Sequence, residues 1–264
     1  VAAFIFIGGI NRIARVTEKV VPLMALIYIV GCLIILFMNL EGTGRAFHDI
    51  FVAAFDPKAV LGGAAGVTVQ KAMRFGVARG LFSNEAGMGS TPHAHALALV
   101  KNPHEQGCVA MVGVFIDTFI VLTLNALVII STLYAGNGPL ANGYVGEAAN
   151  TLKNTNLAQV AFGVVYGDKA GAVFVAICLF FFAFSTILGW NLFAKINVTY
   201  LFGKKAQRPF MLVALVFIFL GTIGESDLVW ACSDMFNQLM VIPNAIALFA
   251  LTGVVTKMLG DRDK

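Results

Sequence analysis

Long apolar runs without a charged side chain constrain this chain more than any other feature. Val21–Leu40 contains no charged residue, and its length is what a helix needs to cross the roughly 30 Å hydrocarbon core of a bilayer. Comparable runs predict four further spans, of which the first is interrupted only by Asp117: Gly107–Ser131, Ala170–Phe193, Pro209–Gly224 and Leu228–Val255. The sequence therefore predicts an all-α polytopic membrane protein.

Composition excludes the main alternatives. Of the 264 residues, 59% are hydrophobic and 12% are charged, whereas soluble domains carry about 25% charged residues. A water-soluble enzyme domain and a disordered chain are both excluded, since disorder requires low hydrophobicity. The net charge of +4 is too small and too dispersed for a nucleic-acid partner. The widely spaced cysteines lack metal-ligand spacing and are predicted to be small packing residues: Cys32, Cys108, Cys178 and Cys232.

The first residues and the loop charges indicate topology. The chain opens with Val1 inside an apolar run, with no basic segment before it, so we interpret residues 1–9 as the tail of a helix and the chain as a fragment. Most Lys and Arg residues of the loops lie on the same side as Asn11–Lys19. The positive-inside rule then predicts a cytoplasmic Asn11–Lys19 in a multi-pass membrane protein.

Two long loops on the external side carry helical patterns. Glu41–Lys58 contains apolar residues at helical spacing, which predicts a helix lying along the membrane interface. Asn137–Lys169 contains the segment LAQVAFGVVYG, which is too short to span and is predicted to cap the external side.

Gly80–Pro92, with the sequence GLFSNEAGMGSTP, does not resemble an ordinary span. Its Gly, Ser, Asn, Glu and Pro residues predict a broken helix, because unwound backbone is tolerated at membrane depth only where protein or a wet cavity surrounds it. The free backbone groups of such a break can bind a carboxylate and a cation, as in secondary transporters. The alternative is a loop that joins two cytoplasmic helix ends.

Several motifs carry a family resemblance. FSNEAGMGSTP, the preceding VARG, RIARVTEKVVPLMA and STILGW resemble the sodium:alanine (and glycine) symporter family, along essentially the whole chain. The resemblance implies a leucine-transporter-type fold of two inverted five-helix repeats. Residues 1–264 would form one partial transporter domain, from the end of core helix 4 to core helix 10, with Ala59–Leu99 as the discontinuous sixth helix. Most of the first repeat, including its own broken helix, would be absent.

The function implied by the resemblance is symport of small neutral amino acids, alanine or glycine, with sodium across the plasma membrane, which is the prokaryotic inner membrane. Sodium would be the coupling ion, with no other cofactor, and the lipid bilayer would be the surrounding partner. An intramembrane enzyme is disfavoured because no GxSxG or HExxH pattern is present. Two alternatives stay open, a proton-coupled amino-acid transporter of the same fold and a membrane sensor that binds amino acids without transporting them. The oligomeric state is open as well.

The resemblance assigns substrate contacts to four residues. Phe82 would pack against the short side chain of the substrate, and Ser83 and Asn84 would contact its polar end. Trp190 would form a wall that limits the pocket to a small side chain. The alternatives are ordinary packing and turn bonding for the first three, and an interface anchor for Trp190.

Three residues are predicted to hold the break. Glu85 is expected to pair with a basic residue such as Arg79, since an intramembrane carboxylate needs a partner. Gly87 and Gly89 are expected to permit unwinding or a close helix approach.

Sodium is assigned to hydroxyl and carboxylate oxygens, which are hard ligands. Ser185 and Thr186 would complete a sodium site; the alternative is that both hydroxyls bond to their own helix backbone. Asp117 would contribute to a second cation site or pair with a basic residue. It lies eight residues before Asn125, roughly on the same helical face.

The remaining polar residues receive structural interpretations. Asp234, with Asn237 and Gln238, is expected to be structural or gating. His93 and His95 do not share a helical face and are interpreted as polar residues at the cytoplasmic end rather than metal ligands.

Overall fold

The computed structural model describes residues 9–55, 65–85, 87–135, 138–141, 152 and 156–260, and these contain helices and turns but no strand. In chain order the helices are α1 Gly9–Met38, α2 Leu40–Phe55, α3 Ala65–Asn84, α4 Pro92–His95, α5 Pro103–Tyr134, α6 Leu157–Tyr166, α7 Asp168–Phe202, α8 Gln207–Ile223 and α9 Ser226–Gly260. The prediction of an all-α chain is confirmed.

Five of the described helices are long and apolar enough to cross a membrane. They cover Arg15–Met38, Pro103–Tyr134, Asp168–Phe202, Lys204–Ile223 and Asp227–Met258. Each corresponds to one of the five spans predicted from the long apolar runs, so that prediction is confirmed.

The start of the first span differs from the prediction. Asn11–Lys19, expected as a loop, is helical because α1 begins at Gly9. Pro22, expected near a helix start, therefore lies inside α1, where a proline removes one backbone hydrogen bond. Residues 1–8 of the predicted helix tail lie outside the described residues.

The chain divides into two compact units. Unit 1 comprises Val1–Arg74 and Val112–Trp190, and unit 2 comprises Phe75–Met111 and Asn191–Lys264. The two units are described separately below.

The core of unit 1 is an aromatic cluster. Phe162 of α6 is fully buried and stacks on Phe174 of α7 at 5.2 Å between ring centroids. Tyr28 of α1 meets Phe182 edge-to-face at 5.5 Å. The segment LAQVAFGVVYG, predicted to be too short to span, forms the short helix α6, which buries its middle residues. The helix predicted within Glu41–Lys58 also exists, as α2.

Polar side chains in this core have partners. The Tyr28 hydroxyl donates to Asn125 Oδ1 at 2.7 Å, and Asn39 Nδ2 donates to the Ser131 carbonyl at 3.0 Å. The Tyr166 hydroxyl donates to the Gly31 carbonyl at 2.8 Å. Burial raises the pKa of the Tyr166 hydroxyl, so this group stays protonated and remains a donor at neutral pH.

Helix α5 departs from regular α geometry twice. It is α-helical over Pro103–Phe115 and π-helical over Ile116–Val121, returns to α geometry over Leu122–Ile129, and ends as a π-helix over Ile130–Tyr134. Short π-helical segments inside α-helices occur often at functional sites. The first of them contains Asp117.

Candidate functional site

The unwound segment that follows helix α3 begins at Glu85. Helix α3 ends at Asn84, and three following residues have left-handed backbone: Glu85 at φ 56°, Gly87 at φ 83° and Gly89 at φ 78°. The helix continues past Gly80 because one glycine in a helix costs only about 1 kcal/mol. The break is therefore shorter than the Gly80–Pro92 segment expected from composition.

The unwound segment closes on itself through polar contacts. The Ser90 hydroxyl donates to Glu85 Oε2, and the Met88 amide donates to the Glu85 carbonyl at 3.2 Å. Ser90 and Met88 are both buried. Glu85 is the one non-glycine residue with positive φ among the described residues, and this conformation costs about 1–2 kcal/mol.

The expected ion pair between Glu85 and Arg79 is not formed. Arg79 instead donates from two guanidinium nitrogens to the carboxylate of Asp234 on α9, at 2.9 and 3.0 Å. The left-handed backbone turns Glu85 away from α3, whereas Asp234 offers the bidentate geometry that suits a planar guanidinium. Asp234 therefore holds α9 against α3, which agrees with its structural interpretation.

An aromatic pair surrounds this ion pair. The Arg79 guanidinium carbon lies 4.8 Å from the Trp230 ring centroid and 6.0 Å from that of Phe82. Phe82 and Trp230 meet at 6.1 Å between centroids. Trp230 was not singled out from the sequence. The available signal was helical spacing: Trp230 lies four residues before Asp234 and Phe82 lies three residues after Arg79, and either spacing places two side chains on one helix face.

Helix α9 also binds the unwound backbone. Asn244 Nδ2 donates to the Gly87 carbonyl at 2.9 Å. A Cβ atom at Gly89 would lie 2.8 Å from Asn244 Oδ1, whereas a Cβ at Gly87 would meet nothing within 4 Å. Gly87 therefore serves the backbone conformation alone, and Gly89 also permits close approach by α9.

Ser83 and Asn84 occupy the last turn of α3. Both are half-buried, and each makes an interaction within the structure. The final carbonyls of a helix have no partner within the helix, so this turn presents acceptor oxygens beside the two polar side chains. Phe82, Ser83, Asn84, Glu85, Gly87 and Gly89 are thus brought together within unit 2.

Two buried amide atoms in unit 2 have no hydrogen-bond partner among the described residues. They are Oδ1 of Asn191 on α7 and Nδ2 of Asn237 on α9. Asn191 is 7% exposed. Unpartnered buried polar atoms are uncommon in folded proteins, and each requires an explanation.

The two histidines after the break connect it to other helices of unit 2. His93 Nδ1 lies 2.8 Å from the Ser90 carbonyl; because a carbonyl only accepts, this nitrogen carries the proton. His93 Nε2 then accepts from Asn197 Nδ2 at 3.0 Å. His95 Nδ1 lies 2.7 Å from Gln106 Nε2.

The residues assigned to sodium lie in unit 1. The Ser185 and Thr186 hydroxyls both donate to the Phe182 carbonyl at 2.9 Å, which is the own-helix bonding considered as the alternative. This bonding uses the hydroxyl protons and leaves oxygen lone pairs that can still bind a cation. Trp190 is half-buried at the end of unit 1 and makes an interaction within the structure.

Asp117 lies in the π-helical segment of α5, half-buried, and it makes an interaction within the structure. Asn125 is occupied by Tyr28.

Comparison with known proteins gives consistent matches. The sodium:alanine symporter family matches residues 1–264. The chain is 38% identical over 254 residues to the sodium/alanine symporter AgcS of Methanococcus maripaludis, which covers 96% of this chain and 52% of that protein. It is 40% identical over 251 residues to an uncharacterized transporter of Haemophilus influenzae, covering 95% and 52%. It is 36% identical over 263 residues to a sodium/proton-dependent alanine carrier protein of Bacillus sp. strain PS3, covering 95% and 57%. The chain spans about half the length of the curated relatives it matches.

Proposed function

Because the chain belongs to the sodium:alanine symporter family, as the resemblance predicted, we propose that the protein containing it transports small neutral amino acids together with sodium. The family consists of transporters, not enzymes, and the chain is a multi-pass protein of the plasma membrane. The proposed substrates are alanine and glycine, and the proposed architecture is a leucine-transporter-type bundle of inverted repeats.

The observation that carries the proposal is the unwound segment that follows α3. Its left-handed residues and its contacts with α9 hold backbone groups and polar side chains in a fixed arrangement. In transporters, such discontinuous helices bind the charged ends of a substrate and the coupling ion. The strain at Glu85 supports a functional role, since strained residues cluster at binding sites.

Roles follow for the individual residues. Phe82 and Trp190 limit the size of the substrate side chain, and Ser83 and Asn84 contact its polar end. Ser185, Thr186 and Asp117 supply oxygen ligands to sodium. Glu85, Gly87 and Gly89 maintain the unwound conformation. Sodium acts as the coupling ion, and its gradient drives uptake against an amino-acid gradient.

Proton coupling is the second candidate. It is favoured by the name of the Bacillus sp. relative, which is described as sodium/proton-dependent. A coupling proton needs a titratable group, whereas a sodium ion needs oxygen ligands. The hydroxyls of Ser185 and Thr186 can ligate sodium but cannot carry a coupling proton, so loss of this pair is expected to impair sodium coupling and not proton coupling.

The test reconstitutes the full-length protein in liposomes and follows labelled alanine. An inward sodium gradient is compared with a proton gradient at equal ionic strength, and unlabelled glycine is the competitor. Accumulation above the external concentration distinguishes a transporter from a sensor. We expect sodium-dependent accumulation.

A variant pair tests the ion ligands. Ser185→Ala with Thr186→Val is expected to abolish sodium-driven uptake. Thr252→Val is the matched control, because Thr252 of α9 is exposed and donates to the carbonyl four residues earlier at 2.8 Å, as Thr186 does. If both variants behave alike, the hydroxyl pair is not an ion site; if uptake is indifferent to sodium, the coupling ion is wrong.

A further inference from the structure

We propose that Asn237 of α9 is a substrate-binding residue, whose Nδ2 group donates a hydrogen bond to the carboxylate of the amino acid bound at the break. The inference rests on the proposed function and adds a residue to the same site. It also changes the interpretation of Asn237, which the sequence placed among structural or gating residues.

The position of Asn237 along the axis of α9 follows from two contacts that α9 makes, one with α3 and one with the unwound segment after α3. Arg79 pairs with Asp234, and further along both segments Gly87 accepts a hydrogen bond from Asn244. Asn237 lies three residues after Asp234, which is about 4.5 Å along α9 at the helical rise of 1.5 Å per residue. Asn237 is therefore level with the last turn of α3, between the ion pair and the unwound backbone.

The face of Asn237 follows from helical spacing. Asp234, Asn237 and Asn244 are separated by three and seven residues, which places them on one side of α9. The first and the last of them contact the broken helix. Asn237 therefore lies on the side of α9 that contacts α3 and the unwound segment.

The Nδ2 atom of Asn237 is buried and has no hydrogen-bond partner in the part of the chain that the structure describes. An amide nitrogen can only donate, so its partner has to be an acceptor; a sodium ion or a substrate ammonium group is excluded. The carboxylate of an amino acid is the acceptor that a transporter of this family would bring to this level. The guanidinium of Arg79, which could compete for that carboxylate, already has both terminal nitrogens on Asp234.

Because the Nδ2 donor of Asn237 has no partner, the expected effect of its substitution differs from that of an ordinary structural residue: substrate binding is weakened and the stability of the substrate-free protein is not. An apolar side chain of similar shape removes the cost of burying an unsatisfied amide, so Asn237→Leu leaves the melting temperature of the substrate-free protein unchanged or raises it. Loss of a hydrogen bond to a charged group raises the KM for alanine about 10- to 100-fold. The alanine-induced rise in melting temperature is lost in parallel.

The experiment measures uptake and melting temperature on the full-length protein in sodium, with and without alanine. Gln238→Leu is the matched control, since Gln238 is the adjacent amide on α9 and is exposed; it is expected to keep the wild-type KM. Asn237→Asp retains the shape, replaces the donor with a carboxylate that repels the substrate carboxylate, and is expected to weaken alanine binding at least as much as Asn237→Leu. It also serves if Asn237→Leu does not fold.

The outcomes separate the two proposals. A wild-type protein that fails to accumulate alanine with sodium overturns the proposed function. Sodium-driven uptake in the wild type, together with a normal alanine KM in Asn237→Leu or Asn237→Asp, overturns the inference about Asn237. A lower melting temperature of substrate-free Asn237→Leu with an unchanged KM does the same, because it would assign the residue a structural role.

Discussion

Units 1 and 2 differ in whether their buried polar side chains have hydrogen-bond partners. In unit 1, Tyr28, Asn39 and Tyr166 each donate to a neighbouring helix or loop at 2.7–3.0 Å, around a cluster of stacked aromatic rings. In unit 2, the backbone after α3 unwinds through left-handed residues, and both unpartnered buried amide atoms of the described residues lie there, on Asn191 and Asn237.

The difference indicates a division of labour. Satisfied hydrogen bonds and close aromatic packing make a rigid scaffold, whereas unsatisfied donors and strained backbone cost stability unless a ligand completes them. Unit 2 therefore holds the features of a binding site, and the core of unit 1 holds those of a support. Phe162→Ala in the core of unit 1 and Asn237→Leu in unit 2 are expected to separate stability from substrate affinity.

The largest effect is expected in the core of unit 1. Phe162→Ala removes a fully buried ring and lowers the free energy of unfolding by about 3–5 kcal/mol. The folded fraction keeps its KM for alanine. Phe180→Ala on α7, where the ring is 60% exposed, is the control and changes stability much less. A raised KM in folded Phe162→Ala would contradict the assignment of unit 1's core to support.

A glycine pair is expected to give the next largest effect and sharpens the account of the break. Gly87→Ala and Gly89→Ala both place a side chain at positive φ. This conformation lowers the free energy of unfolding by about 1–2 kcal/mol in each variant. At Gly89 the new Cβ also overlaps Asn244, which adds about 1–3 kcal/mol of overpacking. Thermal unfolding of the two variants in detergent measures the difference. Equal losses would mean that α9 does not approach the break closely.

The smallest effect is expected from a pair of variants that remove a hydrogen-bond donor, one that has a partner and one that has none. Tyr28→Phe leaves Asn125 Oδ1 without its donor and lowers the free energy of unfolding by about 1–3 kcal/mol. The exposed Tyr200 provides the control variant, Tyr200→Phe, with a change near zero. Asn237→Leu, by contrast, is expected to cost nothing in the substrate-free protein. If Tyr28→Phe and Asn237→Leu are equally destabilising, the contrast between the units fails.

Much of the architecture was predictable because the bilayer imposes simple requirements. A span needs a minimum length of apolar residues, so the five described spanning helices were predicted from long apolar runs. Helix α2 was predicted from apolar spacing. Composition indicated that the chain would depart from helical geometry near Gly80–Pro92, and left-handed backbone occurs at Glu85, Gly87 and Gly89.

The rest depends on contacts between residues distant in sequence. Arg79 is paired with Asp234, 155 positions away, while the nearer carboxylate of Glu85 turns to Ser90. Proximity in sequence favoured Glu85, but the left-handed backbone decides where its side chain points. Similarly, no composition signal distinguishes Gly89 from Gly87, because the difference is the position of Asn244. The π-helical segments around Asp117 left no spacing signal either.

The central claim, that the end of α3 and the unwound segment form the substrate site, is tested most directly by protection of a thiol placed there. In a full-length protein with Cys32, Cys108, Cys178 and Cys232 replaced, Ser83→Cys is alkylated by a small thiol reagent with and without alanine. Thr222→Cys, at an exposed position of α8, is the control. We predict that alanine with sodium slows alkylation of Ser83→Cys at least tenfold and leaves Thr222→Cys unaffected. An unchanged rate at Ser83→Cys, in a protein that still takes up alanine, would contradict the claim.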